Sequence, residues 1–476
     1  MRIIFKWNEL LQKRIQIFHF LILLIVLSSC KKLVDIDPPT SSITTTQVFA
    51  DSADANSAIL GIYSQLYQGP NILCGFETIY SGMSADELLP FNSIGDRFSV
   101  NTLDVGNTTI NGQWSNAYSI LYKANASIEG LQSSKGISQN AKDQFIGEAK
   151  FIRAFVYFYL VNLFGDVPYI TSSDYKVNAL ASRTLGGQVY DSIVADLKYA
   201  KSVLSRDYSY SGGERVRATY QSATALLARV YLYLNDWANA TAATSEVIND
   251  SNFKLASDLN KIFLANSSEA ILQWRLDANY ASYNANYEGM SIIPYDSTNP
   301  PGYYLTKQLL NSFELGDNRK IAWIDSSTYN AVVYYYPYKY KTGPAQRRPG
   351  VAPTEYYMVL RLAEQYLIRA EAEVNGGNGD LSNAINDLNV IRKRAGLSKY
   401  SGVVDKTSVI NAIMHERRIE LLAEFGHRWL DIKRTGEVDS ILVSIKPQWK
   451  SYQQLYPIPS SEIQTDPNLT QNQGYH

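Results

Sequence analysis

The stretch SATALLARVYLYLNDWANA (Ser222–Ala240) decides the fold class. Its alanines and leucines follow helical spacing up to Leu234. Asn235-Asp236 then interrupts it, because these side chains compete for backbone hydrogen bonds and favour turns. The helix resumes at Trp237 and runs towards Val247-Ile248. Small alanines let two helices approach, and the polar turn folds the second back on the first.

The same logic recurs along the chain. Residues 51–67 place Ala55, Ala58, Ile59, Ile62, Tyr63 and Leu66 on one face, and residues 113–131 do so with Trp114, Ala117, Tyr118, Leu121 and Ile128. From Ala141 to Phe164 the apolar residues surround the helix beyond Ala154, so it is expected to be buried on nearly every side. Its partner is Gly187–Leu204. A fourth pair is read from Tyr356 to Glu373 and, after a glycine-rich turn, from Asp380 as N-cap to Gly396. Four helix pairs, at about 51–131, 141–204, 216–249 and 356–395, describe a mostly α, degenerate tetratricopeptide-like array without a fixed period.

Residues 277–355 have another texture, rich in Tyr, Asn, Ser, Gly and Pro, and read as loops with short strands such as Ala331–Tyr336. Long irregular insertions in a helical chain are more often functional than accidental. The chain carries 35 tyrosines, whose apolar faces and hydrogen-bonding tips suit wet, polar ligands.

The N-terminus reads as an export signal. Arg2, Lys6, Lys13 and Arg14 precede an apolar stretch from Ile15 to Leu27, shorter than the roughly 20 residues of a spanning helix. Leu27-Ser28-Ser29-Cys30 resembles the lipobox of bacterial lipoproteins, which predicts removal of residues 1–29, acylation of Cys30 and a tether over residues 30–50. Cleavage removes those four of the 44 basic residues and one (Glu9) of the 45 acidic ones, leaving a net charge of about −4, which argues against a nucleic-acid partner. With Cys30 lipidated, Cys74 has no disulfide partner.

Three long motifs, in this order, resemble the SusD/RagB family of nutrient-binding outer-membrane lipoproteins of Bacteroidetes: GEAKFIRAFVYFYLVNLFGDVPYI (Gly147–Ile170), ERRIELLAEFGHRWLDIKRTG (Glu416–Gly436) and YPIPSSEIQTDPNLTQNQGY (Tyr456–Tyr475). The resemblance implies a single helical unit over residues 51–476, with four tetratricopeptide-like pairs as scaffold and the irregular segments packed on it. It also implies a surface-exposed, lipid-anchored protein that captures an oligosaccharide and delivers it to a SusC-like TonB-dependent transporter, capping that barrel as its lid. A peptide-binding member of the same family, and an interaction scaffold without a small ligand, are the alternatives.

The residues themselves point away from catalysis. His415-Glu416 lacks the second histidine of an HExxH site, since position 419 is Ile, and no metal or cofactor is expected. No nucleophile elbow or P-loop is present. The charges from Glu416 to Arg434 are read as a helix-edge network, with Glu424–Arg428 an i,i+4 pair and Arg417–Glu420 one turn apart. Arg392-Lys393-Arg394 is read as a solvated helix end. For sugar binding, the candidates are Tyr280, Tyr283, Asn284, Tyr287 and Tyr295 in the middle insertion, and Asp86, Phe91 and Asn92 in the early one, where Phe76, Tyr80 and Phe98 add aromatic surface. Trp323 is assigned to the core.

Overall fold

The computed structural model describes residues 45–67, 73–92, 97–276, 284–376 and 381–476, with Trp7, Arg14 and Ile15 of the N-terminal segment. Met1–Val48 is a unit of its own, in which Thr45–Val48 forms one helical turn. Cys30, Tyr280, Tyr283 and Asp380 lie outside the described residues.

In the unit Phe49–His476, nine helices carry the architecture. They are α1 (Ser52–Tyr67), α2 (Thr108–Ser133), α3 (Gln139–Phe164), α4 (Gly186–Val203), α5 (Tyr220–Tyr233), α6 (Trp237–Ile248), α7 (Leu362–Gly376), α8 (Ser382–Arg394) and α9 (Lys406–Glu420). Each packs against the next in sequence, and α7 also packs on α9, so the chain winds as a stack of neighbours. The α5–α6 turn forms as its sequence requires: Asn235 adopts φ 56°, and the Asp236 side chain accepts from the Asn239 N–H to cap α6. Helix α3 is buried over almost its whole length from Gln144 to Phe164. Its exit meets the C-terminal segment, where the Asn472 amide donates to the Phe164 carbonyl (2.9 Å) and the Tyr456 N–H to that of Leu163 (2.7 Å).

Helix interfaces are tied by buried, mostly two-pronged Arg–carboxylate contacts. Arg153 holds Asp196 between α3 and α4, Arg229 holds Glu364 between α5 and α7, and Arg369 holds Asp387 between α7 and α8. Deep charge burial is tolerated when desolvation is offset by this paired geometry.

Four expectations need correction. Tyr357–Arg361 is not the first turn of a helix: it is a fully buried strand, β6, antiparallel to β2 (Ala270–Trp274). A short apolar run fits a buried strand or a buried helix equally, and here strand pairing decides. The Glu416–Gly436 motif is not one helix either. It breaks after α9, passes through Ala423 (φ 49°), Phe425 (φ 44°) and Gly426 (φ 64°), and restarts as α10 (His427–Arg434). The break drives Phe425 into a nest of Phe155, Tyr159, Trp274 and Tyr357, with ring centroids 5.0–5.9 Å away. At Gly426 a side chain would meet Ser81 Cβ at 2.7 Å, so glycine is needed for space as well as for φ.

The charges of this motif are therefore core, not edge. Glu424 pairs with Arg361 and Lys339 rather than Arg428, and Arg417 with Asp431 rather than Glu420, while Asp431 does pair with Arg434. At the Arg392–Arg394 end only Lys393 is exposed: Arg394 grips Glu269 and Glu420, and Arg392 grips Glu314. Trp323 is fully buried, its indole donating to the Leu259 carbonyl.

Candidate functional site

The two insertions singled out in the sequence are joined by a short antiparallel ladder. Strand β1 (Leu88–Pro90) pairs with β3 (Tyr303–Leu305), with Leu89 opposite Tyr304 and Pro90 opposite Tyr303. The Phe91 N–H extends the ladder to the Gly302 carbonyl (3.0 Å), and at the other end the Thr306 hydroxyl donates to the Asp86 carbonyl (2.7 Å). A hairpin of β4 (Ile324–Tyr329) and β5 (Val332–Pro337) lies beside it. Its turn residues Asn330 and Ala331 both have positive φ (50° and 64°), the geometry that matches hairpin twist. The Thr328 N–H on the Ser297 carbonyl (2.8 Å) ties the Tyr295 loop to this hairpin.

The result is a face of aromatic rings. Phe91 meets Tyr329 and Tyr334 edge-on at 5.6 and 5.4 Å, and Tyr304 meets Tyr334 at 5.2 Å. Tyr295 is 66% exposed and Tyr329 37%, whereas Tyr335, 44% exposed, alternates to the other side of the hairpin. Leu89, Phe91, Val100 and Tyr304 open onto a cavity of about 440 Å³ whose far wall includes Lys446. That ammonium is already spent on the Met83 and Ser84 carbonyls and on Asn101. Beside this face, Tyr80, Tyr287 and Tyr303 are half-buried, and burial raises the pKa of all three, so they remain neutral hydroxyls at physiological pH. Tyr287 lies against Gly75 (φ 79°), where an added Cβ would sit 2.0 Å from its ring.

The predicted residues separate on inspection. Tyr295, Phe91 and Asn92 belong to this accessible face, and Tyr287 adjoins it half-buried. Asp86 does not serve as an open ligand group. It is buried, and although burial alone would raise its pKa, the Arg428 and Arg418 guanidiniums that clasp both oxygens hold it below the ordinary value. Asn284 is a loop brace: its amide donates to the Gln346 carbonyl (3.3 Å) and accepts from the Arg348 N–H (2.7 Å). Phe76 and Phe98 are core, packed under Tyr80 and against Tyr456. Sequence reasoning missed Tyr304, Tyr329 and Tyr334. The Val332–Tyr336 strand pattern was the available signal, but which side of a hairpin faces outward depends on its pairing.

The buried acids beneath this face are not arranged for hydrolysis. Desolvation lifts Glu77 to about 8 and Glu288 to about 7, and desolvation with neighbouring Asp86 lifts Glu87 to about 7. All three are at most 3% exposed, whereas glycoside cleavage needs two carboxyl groups flanking a bond in an open cleft. Burial lowers His427 to about 4, so it is neutral, and Glu416 is engaged by Arg319. Among the described residues, no three His, Cys, Asp or Glu side chains gather where a metal ion could be held, and no helix is long and apolar enough to cross a membrane.

Comparison with known proteins gives a consistent picture. The model of the SusD family matches residues 320–475, and a model described as starch-binding associating with outer membrane matches residues 39–232. SusD-like protein P2 of Formosa agariphila is 28% identical, with 96% of this chain and 99% of that protein covered. Starch-binding protein SusD of Bacteroides thetaiotaomicron is 24% identical over 73% of this chain and 74% of its own length. Among solved structures, a laminarin binding SusD-like protein superposes with TM-score 0.75 at 24% identity, covering 89% of this chain and 99% of that one. A SusD superfamily protein of Bacteroides vulgatus gives 0.76, also at 24% identity, covering 90% and 100%.

Proposed function

The chain belongs to the SusD family, and we propose that it is a non-catalytic glycan-binding protein that captures oligosaccharide on the aromatic face of β1, β3 and the β4–β5 hairpin. The observation that carries this reading is the aromatic cluster with exposed Tyr295 and Tyr329 and half-buried Phe91, held by backbone ladders and fringed with neutral hydroxyls. Pyranose C–H faces lie against such rings, and phenols and amides serve sugar hydroxyls. Tyr280 and Tyr283 extend the aromatic supply in sequence. The names of the starch-binding and laminarin-binding relatives support a glucan-type ligand.

Cys30 carries the lipid that holds the protein at the outer membrane, and a SusC-like TonB-dependent barrel receives the ligand. Capture without cleavage serves this role, because cargo must reach the transporter intact. A glycan array probed with the purified mature chain, followed by a reducing-end assay on the best ligand, tests the central reading. Binding without new reducing ends is expected; sugar release would make the protein an enzyme, and binding confined to peptides would move it to the peptide-binding branch. Cys30→Ala should abolish palmitate incorporation. A tagged chain extracted in mild detergent should bring down a barrel protein near one-to-one, across an interface above about 1,000 Å².

A further inference from the structure

The Gly147–Ile170 and Tyr456–Tyr475 motifs take no part in the aromatic face and meet elsewhere on the molecule. A cavity of about 390 Å³ lies there, between α2, the loop that leaves α3 and the C-terminal segment. Trp114, Tyr118 and Tyr122 border it from α2, where a spacing of four puts their rings on one face. Tyr175 borders it from the loop, and the short helix Ser460–Thr465 brings in Glu462. Tyr122 and Tyr175 are 54% and 73% exposed and form the rim, while Trp114 lies deep. The walls are held in place. The Tyr118 hydroxyl donates to the Pro168 carbonyl (2.9 Å) and the Asn125 amide to that of Ile170 (3.0 Å), which straps the loop onto α2. The Asn468 amide donates to the Leu180 carbonyl (2.8 Å) and joins the loop to the C-terminal segment.

The acid in this pocket is out of balance. Burial raises the pKa of Glu462, the Trp114 indole N–H opposes it, and among the described residues no cation adds to that opposition. Arg183 is close enough to act on Tyr118, but its guanidinium is spent on the carbonyls of Asp166, Phe164 and Thr470 and on the Asn472 side chain. Asp466 also borders the cavity, and it accepts from the Asn468 N–H of its own turn (2.9 Å). A half-buried carboxylate without a counterion, set among rings whose faces are electron-rich, suits an organic cation. The volume falls in the range of small-molecule sites.

We infer that this pocket binds a basic sugar, a pyranose bearing a protonated amino group, with the ammonium at Glu462 and the C–H face of the ring against the rim tyrosines Tyr122 and Tyr175. The inference rests on the glycan-binding reading above. A neutral sugar would leave the Glu462 charge uncompensated and an acidic one would be repelled, whereas an amine supplies both the donors and the positive charge that the pocket lacks. The amine must be free, because acetylation removes its charge.

The test is calorimetric titration of the full mature chain with the glucosamine tetramer at about pH 6, where amino groups are protonated, and with the N-acetylated tetramer as its neutral counterpart. The glucosamine tetramer should bind, and the acetylated one at least about tenfold more weakly. Glu462→Gln, close in shape and at a half-exposed position, should remove most of that preference, and Glu462→Asp should keep part of it. Tyr175→Ala should weaken binding about threefold. In a chain labelled with ¹⁵N-tryptophan the Trp114 indole signal should shift saturably with the glucosamine tetramer; Trp114→Phe assigns it, or sequential resonance assignment if that variant does not fold. Equal affinity for the two tetramers, or glucosamine binding unchanged in Glu462→Gln, overturns the site. Binding of a neutral oligosaccharide that depends on Phe91 and Tyr295, with no glucosamine tetramer bound, overturns it while sparing the aromatic face. Absence of binding of any sugar, amino or neutral, by the unmutated chain overturns the glycan reading itself.

Discussion

Buried carboxylates occur in both halves of the design, and apart from Asp86, which Arg418 and Arg428 clasp, and Glu416, which burial raises beside Arg319, the two halves treat them in opposite ways. In the helical scaffold they meet guanidinium forks. Burial alone would raise Glu364, but Arg229 outweighs it and holds it at about 2, and Glu420 and Glu424 are likewise lowered by Arg394 and Arg361. Beneath the aromatic face, Glu77, Glu87 and Glu288 are buried without such a fork, and desolvation leaves them at about 8, 7 and 7. The scaffold is organised for permanence and its charges define which helices meet. The insertion keeps its rings outward and leaves beneath them acids that hold their protons to a higher pH than free carboxylates do.

The largest expected effect comes from breaking a scaffold fork. Arg361 holds Glu424 (2.8 Å), Glu420 (2.6 Å) and Glu269 (2.9 Å) at once. Arg361→Ala would take a guanidinium from three buried carboxylates at once, leaving them only Arg394, Arg319 and Lys339, and urea denaturation should show a loss of about 3–5 kcal/mol, or no folded protein.

Next is the pH response, which should differ in sign between the regions. Scaffold acids such as Glu364, lowered from 4.5 to about 2, contribute stability that is present above the unfolded pKa and lost as pH falls towards 2. Glu288, raised from 4.5 to about 7, binds its proton more tightly when folded, so its stabilising effect is present below pH 4.5 and lost as pH rises to 7 and beyond. Glu288→Gln, a mimic of the protonated acid, should stabilise at pH 8 by up to about 3 kcal/mol and change little at pH 5. Thermal melts at the two pH values check this; equal effects at both would place Glu288 among the scaffold acids.

Smaller effects sharpen the contrast within the tyrosines. Tyr295→Ala should weaken oligosaccharide binding by about 0.5–1.5 kcal/mol with almost no change in melting temperature, because the ring is exposed. Tyr287→Ala should instead lower the melting temperature, since that ring packs against Gly75. Least of all, Ala331→Gly at the hairpin turn should stabilise by about 0.5 kcal/mol, removing the left-handed strain of an L side chain at φ 64° while adding freedom to the unfolded chain.

Helix pairs with local signals were legible in the sequence: the Ala/Leu spacing and Asn-Asp turn of α5–α6, and the all-round apolar surface of α3. Features fixed by long-range partners were not. Tyr357–Arg361 becomes a strand because Ala270–Trp274 lies beside it, and α9 ends at Glu420 because the aromatic nest takes in Phe425. The same holds for the candidate site. Composition located the two insertions, but Asp86 turned out to be committed to Arg418 and Arg428, which lie more than 300 residues away in sequence. Tyr334 becomes a neighbour of Phe91 only through the fold.

The most direct measurement is calorimetric titration of one array-identified oligosaccharide into the unmutated chain and into a Phe91→Ala, Tyr295→Ala, Tyr329→Ala variant, with melting temperatures taken in parallel. If the aromatic face is the capture surface, affinity should fall at least about tenfold while the melting temperature stays within about 3 °C. Unchanged affinity in a folded triple variant would contradict it.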